Sequence, residues 1–401
     1  MAFRKKWWDK MINKRKKKFS NIVSISCYVL LLLAFAIGAT DVSIPDSKTV
    51  IGTLAVSEQK SDVFHDGEFD NGIATVMGLP VKNVKVNVIP DLKLIPGGSY
   101  FGVKFFTKGV MIVGMSDVES VDGILNPAFK SGLRVGDSII KMNGIDVNTV
   151  EDVASIVEKS GGEKIKIEYC REDEYGDTSL IPLKSLSDGK YRTGMWVRDS
   201  TAGIGTVTYY NPETGEFAGL GHGICDVDTG RLMPLLKGNI VDITVTDILK
   251  GSKGTPGEVK GEFGIVKNGE LNINSNNGVF GVLNSRPQCA SEEAMKIALS
   301  SEIKEGTAFI YNALDGITVK KYEIELTKIY RNDSENKNFI FSVKDKELLD
   351  KTGGIIQGMS GSPIVQDGKL VGAVTHVLVN DPTRGYGIFI ENMLTEAEKN
   401  K

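Results

Sequence analysis

Gly358-Met359-Ser360-Gly361-Ser362-Pro363 runs directly into Ile364-Val365-Gln366-Asp367-Gly368-Lys369-Leu370-Val371-Gly372-Ala373-Val374. The stretch reads as a turn of small residues, a short apolar run, an Asp-Gly turn and a second apolar run, which together predict a β-hairpin. A serine on a glycine-flanked turn just ahead of a hairpin leaves its hydroxyl exposed. The backbone N–H groups of Gly358 and Ser360 are then free to converge as an oxyanion hole for a tetrahedral intermediate. Gly-x-Ser-Gly turns also occur without chemistry, so the partners of Ser360 decide the matter.

A serine nucleophile needs a base, and the chain has three histidines, His65, His222 and His376. His65 lies in the acidic stretch Val63-Phe64-His65-Asp66-Gly67-Glu68 and reads as a solvated loop residue. His376, in Ala373-Val374-Thr375-His376-Val377, falls on the strand after the hairpin, a place that packs beside a site more often than it supplies the base. His222 sits in Gly219-Leu220-Gly221-His222-Gly223, where an apolar run meets a glycine-bracketed turn. Glycines on both sides permit the close backbone approach that a base facing a nucleophile requires. The carboxylate is open on spacing alone. Asp345 ends the alternating segment from Phe339, Asp226 follows His222 by four residues, and Asp242, Asp247 and Asp315 remain rivals.

The segment Gly358 to His376, extended by Val379-Asn380-Asp381-Pro382-Thr383-Arg384-Gly385-Tyr386-Gly387, resembles the nucleophile region of the stage IV sporulation protein B (SpoIVB) serine peptidase family. Gly219 to Gly223 with Asp226 is similar to that family's histidine segment. The resemblance implies a serine endopeptidase of endospore formation with Ser360 as nucleophile, His222 as base, Asp345 as the orienting carboxylate and Thr375 near the site. It further implies self-cleavage, and signalling by cleavage of a regulator of an intramembrane protease that activates a mother-cell pro-sigma factor. Ser362 is the fallback nucleophile, although it precedes Pro363 and lacks the second glycine flank.

The N-terminus bears on location. Residues 1 to 18 carry nine Lys and Arg against Asp9 alone, and Ile22 to Ala39 is uncharged and mostly aliphatic. Eighteen residues at helical rise reach about 27 Å, close to the thickness of a bilayer core. A basic flank before such a span predicts a signal-anchor with the rest of the chain extracytoplasmic, in the space between forespore and mother cell on the family's pattern. Ala34-Phe35-Ala36 is a competing cleavage site. Beyond the tail the chain keeps 39 basic against 50 acidic residues, a net charge near −11. That balance argues against nucleic-acid binding. The four cysteines, at 27, 170, 225 and 289, have neither disulfide-framework nor zinc-site spacing, so no cofactor or metal is expected, and Cys225 reads as a small buried residue.

The predicted organisation is a tail and span over 1–40, an arm over 41–93 and two domains over 94–187 and 188–396. In the arm, Val81 to Ile89 alternates as a strand. Residues 94–187 resemble a PDZ domain: Val110 to Val113 is a strand, Asn126 to Gly144 a short helix, turn and strand, Val150 to Lys159 a helix, and Lys164 to Tyr169 a closing strand. In such a module an extended peptide adds to a sheet edge, and Tyr100, Phe101, Gly102 and Val103 would offer N–H groups to a terminal carboxylate. Residues 188–396 are Gly-rich and β-branched, with strands expected at Met195–Val197, Gly205–Tyr210, Ile240–Val245, Phe263–Val266 and Ala308–Tyr311, turns at 211–215 and 267–270, and one helix at Ser291–Ile303. The fold class is therefore mainly β, a membrane-spanning helix and a PDZ domain followed by a chymotrypsin-like (trypsin-like) β-barrel peptidase domain. The residue order His222, Asp345, Ser360 matches that class, with the aspartate unusually late. The expected protein partners are the membrane regulator and the chain itself, with the membrane held through the N-terminal helix. The alternative is an exported PDZ adaptor whose barrel is inactive.

Overall fold

Asp367 and Gly368 have φ of 51° and 76°, the left-handed pair that a tight two-residue hairpin requires. The hairpin they close is the one expected after the serine turn. The computed structural model describes residues 47–52, 68–70, 73–76, 79–83, 85–172, 174–287, 293–331 and 336–399. The expected span at Ile22–Ala39 lies outside the described residues, as does His65. Among the described residues no helix is long and apolar enough to cross a membrane.

The chain divides into two units, residues 1–90 and 91–401. In the first, β1 (Ser47–Ile51), β2 (Glu68–Asp70), β3 (Ile73–Val76), β4 (Leu79–Asn83) and β5 (Lys85–Ile89) make two small sheets. β1 and β5 pair in parallel, and β2, β3 and β4 form an antiparallel meander.

The second unit opens with β6 (Lys93–Pro96), β7 (Tyr100–Met115), β8 (Val118–Ser120), β9 (Gly123–Leu125), α1 (Pro127–Lys130), β10 (Ser138–Met142) and β11 (Ile145–Asp146). Next come α2 (Val150–Lys159), β12 (Ile165–Arg171), β13 (Glu174–Leu180), β14 (Leu183–Lys184) and β15 (Tyr191–Arg192). They are followed by β16 (Met195–Tyr210), β17 (Glu216–Gly219), β18 (Leu235–Leu249), β19 (Glu258–Ser275), β20 (Gly278–Leu283) and β21 (Met295–Lys296). The chain ends with β22 (Gly306–Asn312), β23 (Lys320–Ile329), β24 (Phe339–Val343), α3 (Lys346–Thr352), β25 (Pro363–Gln366), β26 (Lys369–Leu378), β27 (Asp381–Phe389) and α4 (Ile390–Lys399).

Two six-stranded rings organise this unit. β22, β23, β24, β27, β26 and β25 form a closed barrel. The other ring runs β16–β7–β18–β19–β20–β17 and returns to β16, every neighbour pair antiparallel. Closing a sheet on itself removes its unpaired edges. Inward alternation supplies the cores. Phe101 and Phe217 meet edge to face at 5.8 Å in the first barrel, and Phe339 and Phe389 lie 5.6 Å apart in the second. Each buried phenyl contributes roughly 1.5–3 kcal/mol. Paired β-barrels of this kind are the chymotrypsin-like arrangement, and β16 and the start of β19 carry first-barrel contacts to the serine turn of the second.

A third core lies over residues 110–180 and includes Ile112, Ile139, Val153, Val157 and Ile165. Here α2 occupies the span the sequence predicts, fixed at its start by a Thr149–Asp152 capping box. The expectation for Tyr100, Phe101, Gly102 and Val103 is overturned. They stand in the interior of a barrel, paired on one side with Ile204 to Thr206 and Gly203 of β16, and Gly102 and Val103 also pair with Val241 and Ile240 of β18. Their backbone is used by the sheet and does not form an open carboxylate loop. A Cβ on Gly102 would meet Ile243 and Phe263 at 2.7 Å. The strand instead bends at Gly109 (φ 75°) and continues into the smaller core. Along that second half, Met195 to Arg198 of β16 pair with Met115 to Met111, and the Asp199 carboxylate accepts from Val150 N at the head of α2.

Two other expectations fail. The described part of Ser291–Ile303 is not helical. Met295–Lys296 pairs with β6, Ala298 N donates to Leu370 O, and Leu299–Glu302 turns. Ile297, Ala298 and Ile303 are buried, so packing overrides the helix propensity of this Ala- and Leu-containing run. Residues 267–270 stay within β19, where Gly269 pairs with both Ile240 and Leu283.

Candidate active site

The serine turn is built by anchoring its carbonyls. Gln357 O accepts from Val259 N at 2.9 Å and Met359 O from Ser362 N at 2.9 Å. Ser360 O accepts from Thr206 N at 3.0 Å, and Gly358 O from Thr206 Oγ1 at 2.7 Å. Gly358 and Gly361 take φ of 99° and 94°, conformations that need glycine. With these carbonyls drawn away, the N–H groups of Gly358 and Ser360 have no acceptor among the described residues, as an oxyanion hole requires. Ser362 is not an alternative nucleophile. It is fully buried, its Oγ donates to Met359 O at 2.6 Å, and it accepts from Asn312 Nδ2 at 2.8 Å.

His222 enters from the first barrel on a turn in which Leu220 (φ 65°) and Gly221 (φ 67°) are both left-handed. A Cβ on Gly221 would lie 2.9 Å from Thr375 Cγ2, so glycine lets this turn lie against β26. His222, Gly358 and Ser360 line one cavity of about 400 Å³, with apolar walls that include Val103, Ile204 and Leu220. The structure thus brings together the expected nucleophile, base and oxyanion donors. In the conformation described, Ser360 Oγ donates to Thr375 O at 2.8 Å. Thr375 is buried and its own hydroxyl donates to Asn336 O at 2.9 Å, so it touches the nucleophile through its carbonyl.

His222 Nδ1 lies 2.9 Å from Gly223 O. A carbonyl can only accept, which fixes the proton on Nδ1 and leaves Nε2 as the basic nitrogen. Burial pushes the His222 pKa below the ordinary histidine value, partly countered by that hydrogen bond. The neutral base is therefore the form present at pH 7.

No carboxylate reaches this imidazole among the described residues, and both aspartate expectations need correction. Asp345 is the N-cap of α3, with Oδ1 accepting from Leu348 N at 3.0 Å. It is held by its own helix and not by His222. The clue was in the sequence: Asp345 heads Lys-Glu-Leu-Leu and the run ends at Gly353, the start and stop residues of a helix. Asp226 is buried, ion-paired with Arg198, and accepts from Thr229 N at 2.9 Å. Burial raises its pKa, but the Thr229 and Arg198 hydrogen bonds outweigh it and hold the carboxyl below its usual range.

A second imidazole packs beside His222, whose Nδ1 is taken by Gly223 O. The rings of His222 and His376 are 5.1 Å apart, and His376 Nδ1 is buried with no hydrogen-bond partner among the described residues. Burial, then His222, then Lys337 push the His376 pKa down to about 4. Cys225 lies at the same cavity and is exposed rather than buried. Its thiol contacts Gly223 O at 3.8 Å, and its backbone bridges to Leu232. Sequence reasoning did not single out Thr206, which carries no motif and meets the turn more than 150 residues away. Among the described residues no group of three or more His, Cys, Asp or Glu is placed to hold a metal ion.

The family model for the SpoIVB peptidase S55 matches residues 189–394. A protein of Lactococcus lactis subsp. lactis classed as a zinc metalloprotease is 27% identical over 160 residues, 39% of this chain and 32% of that one. Another so classed, from Clostridium acetobutylicum, is 26% identical over 106 residues, 26% of this chain and 30% of that one. The chain thus spans about a third of the length of these curated relatives. Crystal structures of the protease Rv3671c, one of an inactive form and one of a serine-to-alanine mutant of the Mycobacterium tuberculosis H37Rv protein, share 12% identity at a TM-score of 0.25. They cover 49% of this chain and 83% and 81% of theirs.

Proposed function

The chain belongs to the SpoIVB peptidase S55 family and is a serine peptidase, and from that premise we propose that Ser360 attacks the scissile carbonyl with His222 as its base. The observation that carries this reading is the single cavity shared by Ser360, His222 and the unpartnered N–H of Gly358. Substrate binding turns Ser360 Oγ from Thr375 O toward His222 Nε2. The Oγ–carbon bond forms as Nε2 takes the hydroxyl proton, and the carbonyl electron pair moves onto the oxygen facing the N–H groups of Gly358 and Ser360. Collapse of that intermediate breaks the C–N bond, and His222 returns the proton to the leaving amine. Water then hydrolyses the acyl-enzyme by the same route. Gly223 O keeps the imidazole in the required tautomer throughout.

Beyond the chemistry, the proposed role is that of a membrane-anchored, extracytoplasmic endopeptidase of endospore formation, cleaving itself and a regulator of an intramembrane protease. The basic tail with its apolar run and the family resemblance support it. The PDZ resemblance of 94–187 supports partner docking by the module built on the core over residues 110–180, with the N–H groups of Tyr100 to Val103, used by the barrel, taking no part. The deciding experiment is self-processing of the purified chain. Ser360→Ala and His222→Ala should each abolish it while retaining the circular dichroism of the parent. Processing of Ser360→Ala at the parental rate removes the enzyme reading and favours an adaptor.

A further inference from the structure

Thr206 is fully buried and is not among the residues that line the catalytic cavity, yet it makes two of the bonds that shape the serine turn. Its N–H donates to Ser360 O at 3.0 Å and its Oγ1 to Gly358 O at 2.7 Å. It belongs to β16, whose preceding residues Thr201 to Ile204 line the catalytic cavity. Two residues on, Thr208 Oγ1 donates to Gly361 O at 2.7 Å. The Thr206 hydroxyl is itself held: Asn312 Nδ2 donates to it at 3.4 Å and to Ser362 Oγ at 2.8 Å, while Asn312 Oδ1 accepts from Tyr100 OH at 2.8 Å.

We propose that Thr206 is a positioning residue for the oxyanion hole, holding the Gly358 carbonyl against β16 of the first barrel so that the N–H groups of Gly358 and Ser360 stay aimed at the substrate oxygen. The proposal rests on Ser360 being the nucleophile. The peptide between Gly358 and Met359 lies between the two donors. Gly358 has no Cβ to restrain its dihedrals, so the orientation of that peptide depends on what its carbonyl binds. The hydroxyl of Thr206 supplies a directional bond from a strand locked in the barrel on both sides. Without it the carbonyl is a buried acceptor lacking a partner, a state costly enough that the peptide turns to find another. A donor prearranged before substrate arrives needs no reorganisation during reaction, which is the source of the hole's effect.

A fluorophosphonate probe tests this directly, because its P=O occupies the oxyanion hole. Ser360 Oγ bonds to phosphorus, the P–F bond breaks with fluoride leaving, and the serine proton passes to His222. Saturation kinetics separate the maximal labelling rate from probe affinity. Thr206→Val keeps the shape and the backbone bond and removes only the hydroxyl. Its maximal rate should fall roughly 10²-fold, the effect of losing one hole donor, with probe affinity within about threefold of the parent. Thr206→Ser should return to within about threefold of the parental rate. If the valine variant does not fold, Thr206→Ala is read in its place with the same expectation. Parental labelling by the hydroxyl-free variant, or a serine variant as slow as valine, overturns the proposal. Probe found elsewhere than on Ser360 in the parent protein overturns the nucleophile assignment beneath it, an outcome distinct from the other two.

Discussion

The His222 and His376 rings lie 5.1 Å apart at an interplanar angle of 38°, both in surroundings that favour the neutral imidazole. A peptidase base works only in its free form, so the acid limb of kcat/KM reports its pKa in the free enzyme. Because the His222 pKa is lowered by burial, that limb should fall below pH 6.5 and activity should persist into mildly acidic buffer. His376→Ala removes the covering ring and admits water, which should move the limb back toward the ordinary histidine value. A limb that stays put in His376→Ala, measured from pH 4 to 8, contradicts this account.

The same two groups make stability pH-dependent. His376 has a folded pKa of about 4, while in the unfolded chain it titrates near 6.5. Between those values the unfolded state binds more protons, so stability rises with pH across the window. Its contribution is complete above pH 6.5 and is lost as pH falls toward 4. Thermal midpoints of the parent should therefore drop between pH 7 and pH 4.5, and His376→Gln should flatten part of that slope. Equal slopes for the two proteins would assign the acid sensitivity to other groups.

Asp345 offers a sharp separation of roles. Asparagine caps helices about as well as aspartate, so Asp345→Asn keeps the bond to Leu348 N while removing the charge. As a helix cap, the position should tolerate the change with activity within about threefold and little loss of stability, whereas loss of a triad aspartate costs about 10⁴ in kcat. Asp345→Ala should cost about 1 kcal/mol of stability through the lost cap. Asp226→Ala is the more damaging fold mutation, since it strips a buried partner from Arg198 and from the Thr229 turn. Chemical denaturation run beside the self-processing assay measures both effects, and an Asp345→Asn protein that folds but cannot process itself would restore the carboxylate to the mechanism.

The sequence made the hairpin legible because Asp367-Gly368 allows few backbone conformations, and it made His222 legible because glycines bracket it. The serine turn alone pointed to Gly358 and Ser360 as expected donors, and both line the cavity that His222 also lines. What was hidden depended on distant strands. Thr206 is an ordinary residue in Gly205-Thr206-Val207-Thr208 until the barrel closes and places it under Ser360. The N–H groups of Tyr100 to Val103 are not free for a carboxylate because one 16-residue strand, β7, serves both a barrel and the neighbouring core, which no local pattern announces. Asp345 is the opposite case, since its local pattern, an aspartate heading Lys-Glu-Leu-Leu before Gly353, is that of the helix cap it forms.

Gly361 is a point of close approach between the two barrels at the site. A Cβ there would lie 2.1 Å from Thr206 O and 2.4 Å from Leu220 N, both backbone atoms of the first barrel. Its φ of 94° is also a conformation that side chains rarely adopt. Gly361→Ala must therefore push the serine turn away from β16 and from the Leu220–Gly221 turn that carries His222, separating nucleophile, base and oxyanion donors together. Labelling of Ser360 by fluorophosphonate should fall by at least about 10²-fold. Gly368→Ala is the control, because it too has a positive φ, at 76°, but meets no atom within 4 Å. It should lose about 1 kcal/mol or more of stability through backbone strain and keep its labelling rate. If both alanine variants label at the same rate, the close approach at Gly361 has no part in aligning the site.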